Sequence, residues 1–164
     1  MNVNNRAYFL FGRAAIAIMR NQGGGDIVNI ATDHIYTEKN RPSGGGAVMD
    51  TYDASKWGLN GFLQDWAKAV EGENIRINAI CLGATDSHML RGFTGEARLT
   101  PELVASWMKP ADVAQVMIDL IKDGRTAHNI PVWVRDPVVL TPETADFSLR
   151  LGVMKSAFDA IGEQ

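Results

Sequence analysis

The chain has little of several things, and each shortage excludes something. Among its 164 residues there is one cysteine, Cys81, so no disulfide can form within the chain and a reducing compartment is expected. An excess of one charge is missing too: 16 Lys and Arg stand against 19 Asp and Glu, for a net charge of -3 at pH 7. That balance gives no general basis for binding nucleic acid or an anionic membrane. No apolar run is long enough to cross a bilayer. The most apolar stretch, Ala7 to Met19, is interrupted by Arg13, flanked by Arg6 and Arg20, and lacks a small-residue cleavage pattern. Internal repeats and low-complexity tracts are absent, and no metal site is expected. The expectation is a soluble, cytoplasmic protein with neither nucleic acid nor membrane as partner. The length suits one domain with a sizeable core.

What is present alternates between helix and strand. Asn5 to Arg20 reads as a helix that is apolar nearly all the way round, which predicts burial on two sides, one against a sheet and one against a second subunit. Gly23-Gly24-Gly25 ends that helix. These glycines precede a strand rather than follow one, so they read as a helix C-terminal turn and not as a phosphate cradle. Asp26 to Ala31 reads as a buried parallel strand, and Thr32 to Asp50 as a polar loop holding His34, Tyr36, Pro42 and Gly44-Gly45-Gly46. In a second helix Leu59, Phe62, Leu63, Trp66 and Val70 form the core face, with Gly58 and Gly61 allowing a close approach. Ile75 to Leu82 is the next strand, and Ala84 to Arg98 the next loop, with His88 in it. Thr100-Pro101-Glu102 starts a helix with a cap, a proline and a first-turn acid. Pro110 to Asp123 is a further helix, with a core stripe of Val113, Val116, Met117, Leu120 and Ile121. Asn129 to Arg135 is a last strand. Pro131 cannot donate to a ladder, so this strand belongs at a sheet edge. Thr141-Pro142-Glu143 opens a terminal helix, which divides the chain into a domain over 1–140 and a helical extension over 141–164. The order predicts an α/β protein with a parallel sheet.

The second helix opens with Tyr52-Asp53-Ala54-Ser55-Lys56, which sets a phenol and an ammonium four residues apart on one helical face. A tyrosine titrates near pH ~10. A cation beside it pulls that value down and makes it a useful general acid or base. A Tyr-x-x-x-Lys pair on its own is common, and taken alone it reads first as a solvated helix start with a surface lysine.

Taken with the residues around it, the pattern resembles the C-terminal half of a classical short-chain dehydrogenase/reductase, from residue 1 to about Arg135. Val3-Asn4-Asn5 resembles the family's Val-Asn-Leu, Ile27 to Thr32 its strand ending in Ser-Ser, Tyr52-Asp53-Ala54-Ser55-Lys56 its Tyr-x-Ala-Ser-Lys, and Leu82-Gly83-Ala84-Thr85-Asp86-Ser87 its Pro-Gly-x-x-x-Thr loop. The resemblance implies a Rossmann-like parallel sheet with flanking helices, from which the N-terminal half of the nucleotide-binding fold is missing. It implies Asn4, Thr32, Tyr52 and Lys56 as catalytic residues, with Thr32 in the serine position. Tyr52, Lys56, Gly83, Thr85 and Ser87 are implied to face the nicotinamide of NAD or NADP. The implied reaction interconverts a secondary alcohol and a carbonyl. Tyr52 moves the proton, Lys56 lowers the tyrosine pKa and bonds the nicotinamide ribose, Thr32 orients the substrate oxygen, and Asn4 supports a water relay.

The departures carry expectations of their own. The family's Gly-rich pyrophosphate loop is found nowhere in the chain, so a fragment, an internal-start product or half of a split enzyme is expected, inactive alone. The family's dimer implies a homo-oligomer formed through residues 5–20 and 52–70. The competing expectations are a non-catalytic subunit of the same family and a small-molecule binding partner of a complete dehydrogenase.

Overall fold

A computed structural model describes residues 2–35 and 49–132 of the chain. One turn of π-helix, Asn2–Arg6, leads into α1, Ala7–Gln22. Then come β1 (Gly25–Thr32), a 3₁₀ turn (Asp33–Ile35), α2 (Asp50–Ala69) and β2 (Ile75–Leu82). They are followed by α3 (His88–Thr94), a 3₁₀ turn (Glu96–Arg98), α4 (Pro101–Ala105), α5 (Pro110–Asp123) and β3 (Asn129–Val132). Residues 36–48 of the polar loop, residues 133–135 of the last strand and the expected 141–164 extension lie outside the described residues.

The three strands are parallel and ordered β1-β2-β3, with Gly25 opposite Ile75 and Thr32 opposite Leu82. β3 lies at the edge of the described sheet, where Pro131 costs no ladder bond. Parallel strands need long crossovers, and α2 supplies the first and α3 to α5 the second. Two cores result. On one face Ile75, Ile77, Ala79 and Cys81 of β2 meet Ile16 of α1 and Leu63, Trp66 and Val70 of α2. On the other, Ile80 of β2 meets Val113, Val116 and Leu120 of α5, with Met108 and Ile130. Because β2 is covered on both faces, it tolerates an almost unbroken apolar run.

Local chemistry explains the element ends. Gly23 takes a left-handed conformation at φ 90 and its N–H caps the Met19 carbonyl, so the triple glycine is a helix terminator as expected. Thr100 accepts from the Leu103 N–H at 3.2 Å at the start of α4. Three expectations need correction. The segment from Ala84 to Arg98 is not all loop: Ser87 accepts from the Leu90 N–H at 3.2 Å and so starts α3. Ile121 is 41% exposed and lies outside the α5 core stripe. Gly61 has open space around it, whereas Gly58 does sit against Asn5, and the glycine that permits the closest helix approach is Gly12, pressed on the Trp66 ring.

The helix α1 is buried on one side only among the described residues. Gly12 and Ile16 are buried, while Leu10, Phe11 and Ile18 are exposed.

Candidate functional site

The site forms where β1 and β2 end. In an open parallel sheet this end carries ligands, because the chain leaves each strand there into a loop. β1 ends at Thr32, whose side chain is buried. Its hydroxyl shares a hydrogen bond with the Tyr52 phenol from the first turns of α2. Tyr52 is 36% exposed, so the phenol is supported from behind and open in front. One helical turn further, the Lys56 ammonium donates to the Ile30 carbonyl at 2.7 Å and lies 5.6 Å from the centre of the Tyr52 ring. Asn4, in the π-helical turn, donates through Nδ2 to Ser55 Oγ at 2.8 Å. Ser55 in turn donates to the Tyr52 carbonyl at 2.6 Å. Asn4, Thr32, Tyr52 and Lys56, far apart in the chain, are thus joined by a short series of contacts.

The Gly83–Ser87 loop meets the same end of the sheet through the strand register, since Thr32 lies opposite Leu82. The Gly83 N–H donates to the Val132 carbonyl at 2.9 Å, and Thr85 Oγ1 donates to the Gly83 carbonyl at 3.3 Å. Reciprocal backbone bonds tie the loop to Met108: its N–H donates to Ala84 at 2.9 Å, and its carbonyl accepts from Asp86 at 2.8 Å. Ser87 uses its hydroxyl to cap α3.

The electrostatics differ from the simple pairing of a phenol with an ammonium. Burial raises the Tyr52 pKa, the Thr32 hydrogen bond opposes that rise, and the charges of Asp53 and Asp33 add to it. Lys56 is lowered, chiefly by burial, with Cys81 acting the other way. The direction at Tyr52 is opposite to the one expected from its spacing to Lys56, because burial raises the phenol and the Asp53 and Asp33 charges add to that rise, while the ammonium is bonded to the Ile30 carbonyl. Two contacts go beyond the sequence pattern. Ser55 is the link between Asn4 and the helix, and its place within the Ala-Ser-Lys run is the one sequence signal for it. His34 Nδ1 lies 2.7 Å from Asp53 Oδ1, and only the fold brings these two together. No group of His, Cys, Asp and Glu able to hold a metal ion occurs among the described residues. Nor is any helix there long and apolar enough to cross a membrane.

Comparison with known proteins identifies the family of the chain. The family described as short chain dehydrogenase matches residues 1–97. A 3-oxoacyl-acyl-carrier-protein reductase of Thermotoga maritima is 32% identical over 127 residues, covering 75% of this chain and 48% of the relative. A 3alpha-hydroxysteroid dehydrogenase of Mediterraneibacter gnavus is 32% identical over 127 residues, with the same 75% and 48% coverage. Among solved structures, a 4-hydroxyisoleucine dehydrogenase mutant complexed with NADH and succinate matches with a TM-score of 0.62 and 25% identity, covering 80% of this chain and 55% of that one. The chain spans about half the length of the curated relatives it matches.

Proposed function

The chain belongs to the short-chain dehydrogenase family, and from that premise we propose that it is the substrate-side half of an NAD(P)-dependent oxidoreductase acting on a secondary alcohol and its carbonyl. The observation that carries the proposal is the Tyr52 phenol, bonded to buried Thr32, open to solvent and followed one turn later by Lys56. Tyr52 exchanges a proton with the substrate oxygen. Burial and two nearby aspartates keep the phenol protonated at neutral pH, which is the state that gives a proton to a carbonyl. Thr32 holds the phenol and orients the substrate oxygen through its hydroxyl. Asn4, acting through Ser55, holds the first turn of α2 in place.

The residues present fit a nicotinamide riboside. Lys56 presents an ammonium at the open end of β1, and Gly83, Thr85 and Ser87 line the loop that leaves β2 beside Thr32. When bound, NAD or NADP supplies the hydride, which no protein side chain provides. Tyr52 and Lys56 would hold its nicotinamide end. The pyrophosphate side of such a site needs backbone N–H donors at a helix N-terminus, and we place it outside this chain. The bare face of α1, with Leu10, Phe11 and Ile18, supports a homo-oligomer built through α1 and α2. We place the protein in the cytoplasm, where one cysteine is no handicap.

The experiment is to supply the N-terminal half of a related dehydrogenase in trans and follow oxidation of NADH and NADPH with a panel of ketones. Tyr52→Phe should then lower turnover by roughly 10²–10⁴, the scale of a lost general acid or base. Turnover unchanged by that substitution would remove Tyr52 from the mechanism. A second reading, a non-catalytic partner of a complete dehydrogenase, is supported by β1, which is the edge of the described sheet and offers a strand for pairing.

A further inference from the structure

Two side chains beside Tyr52 have no part in the proton transfer above, yet geometry binds them to it. His34 stands in the single turn after β1, and Asp53 follows Tyr52 in α2. His34 Nδ1 lies 2.7 Å from Asp53 Oδ1, and the two side chains are 30% and 17% exposed. The His34 and Tyr52 rings meet edge to face, with centroids 6.0 Å apart and planes at 79°. The His34 backbone N–H donates to Thr32 Oγ1 at 3.4 Å. His34 therefore touches the hydroxyl that holds the phenol, the phenol ring itself, and the carboxylate next along the helix. A largely buried carboxylate is costly to hold without compensation. The imidazole and the amino end of α2 both provide it here.

We infer that His34 and Asp53 are a positioning pair that ties the end of β1 to the start of α2 and sets the charge beside the Tyr52 hydroxyl. The inference deepens the proposed function and rests on its reading of Tyr52 as the acid/base. Among the described residues, the charged or titratable groups facing the phenol are Asp33 and His34 from the turn and Asp53 and Lys56 from α2. Both aspartates act to keep the phenol protonated, while the Lys56 ammonium is turned to the Ile30 carbonyl. The Asp53 charge opposes the phenolate, and a fixed cation in place of the imidazole would neutralise the pair and withdraw that opposition. A single charge acting on a half-buried group moves its titration by about one pH unit.

The test is a titration of the full chain labelled with ¹³C at tyrosine Cζ and followed by NMR, with Tyr52→Phe to identify the signal. Tyr8, pushed up to about 12, is the internal reference. In Asp53→Asn the Tyr52 midpoint should fall by about one pH unit, the effect of one removed charge. In His34→Arg, a permanent cation on the carboxylate, it should fall by a similar amount. Asp53→Glu, which keeps the charge, should stay near the native midpoint. A midpoint unmoved in both folded variants overturns the inference, as does the same fall in Asp53→Glu. Should Asp53→Asn not fold, His34→Arg decides alone, and no fall there overturns it. The titration needs no turnover, so its failure leaves the proposed reaction standing. Loss of the reaction would instead be read from Tyr52→Phe.

Discussion

Ile30 and Ile80 are the same residue, lie opposite each other in β1 and β2, and belong to strands of the same length. Ile30 is 42% exposed and Ile80 is 0% exposed. The inner face of β1 is well covered, since Ala31 is buried and Ile27 packs on the α1/α2 core. Its other face is covered at Val28 and bare at Ile30. β2 has a strand on either side and helices on both faces, while β1 has one neighbouring strand among the described residues. The contrast teaches that an isoleucine in a strand reports the preference of that strand for burial, and the neighbours decide whether burial occurs.

The comparison is broken most severely by pairing the outer edge of β1 with another strand. We expect the 164-residue chain alone to bind NADH and NADPH very weakly, because the proposed function places the pyrophosphate side outside this chain, and its absence forfeits several charge-assisted hydrogen bonds of about 1.5–3 kcal/mol each. Supplying the other half should raise affinity and solubility together. Isothermal titration of the chain without a partner checks this, and micromolar affinity would contradict it.

The next test is the isoleucine pair itself. Ile80→Ala should cost about 2–5 kcal/mol, the range for a buried large-to-small change. Ile30→Ala should cost about 0.5 kcal/mol or less, as at other surface positions. Urea unfolding of the two variants gives the difference, and equal losses would show that β1 is covered at Ile30 in solution.

The inner face of β1 is sealed by Tyr8, which stacks on Trp66 at 5.2 Å and accepts from Asn29 Nδ2 at 2.6 Å. Burial pushes its phenol up to about 12, against the opposing Asn29 hydrogen bond. A folded pKa above the unfolded value means stability that is fully present below pH ~10 and is lost as the pH rises through about 12. The loss should total roughly 2–3 kcal/mol. Chemical unfolding at pH 9 and pH 12 should show a larger loss in the native chain than in Tyr8→Phe, which keeps only the contribution of the other raised phenol, Tyr52.

The smallest stability effect belongs to Ile30→Lys. It should change stability by about 0.5 kcal/mol or less, yet a charge on an open strand edge discourages pairing between chains. Light scattering should report less association than in the native chain. No change would assign the association to α1 rather than to β1.

The sequence by itself determined much of the framework. β2 and α5 begin and end where their residues indicate, because an apolar run stopped by Gly83 and a stripe between Pro110 and Gly124 are local signals. Thr100 and Pro101 mark a helix start for the same reason. Tyr52 and Lys56 share a helical face because four residues make about one turn. Only the tertiary structure decided what those groups meet. It turned Lys56 to the Ile30 carbonyl, raised the Tyr52 pKa by burial, set His34 on Asp53 across 19 residues, and pressed Gly12 on Trp66. It also left Ile30 and Phe11 exposed. Periodicity and capping act within one or two turns of chain, whereas burial, electric field and close approach depend on residues that only folding brings together.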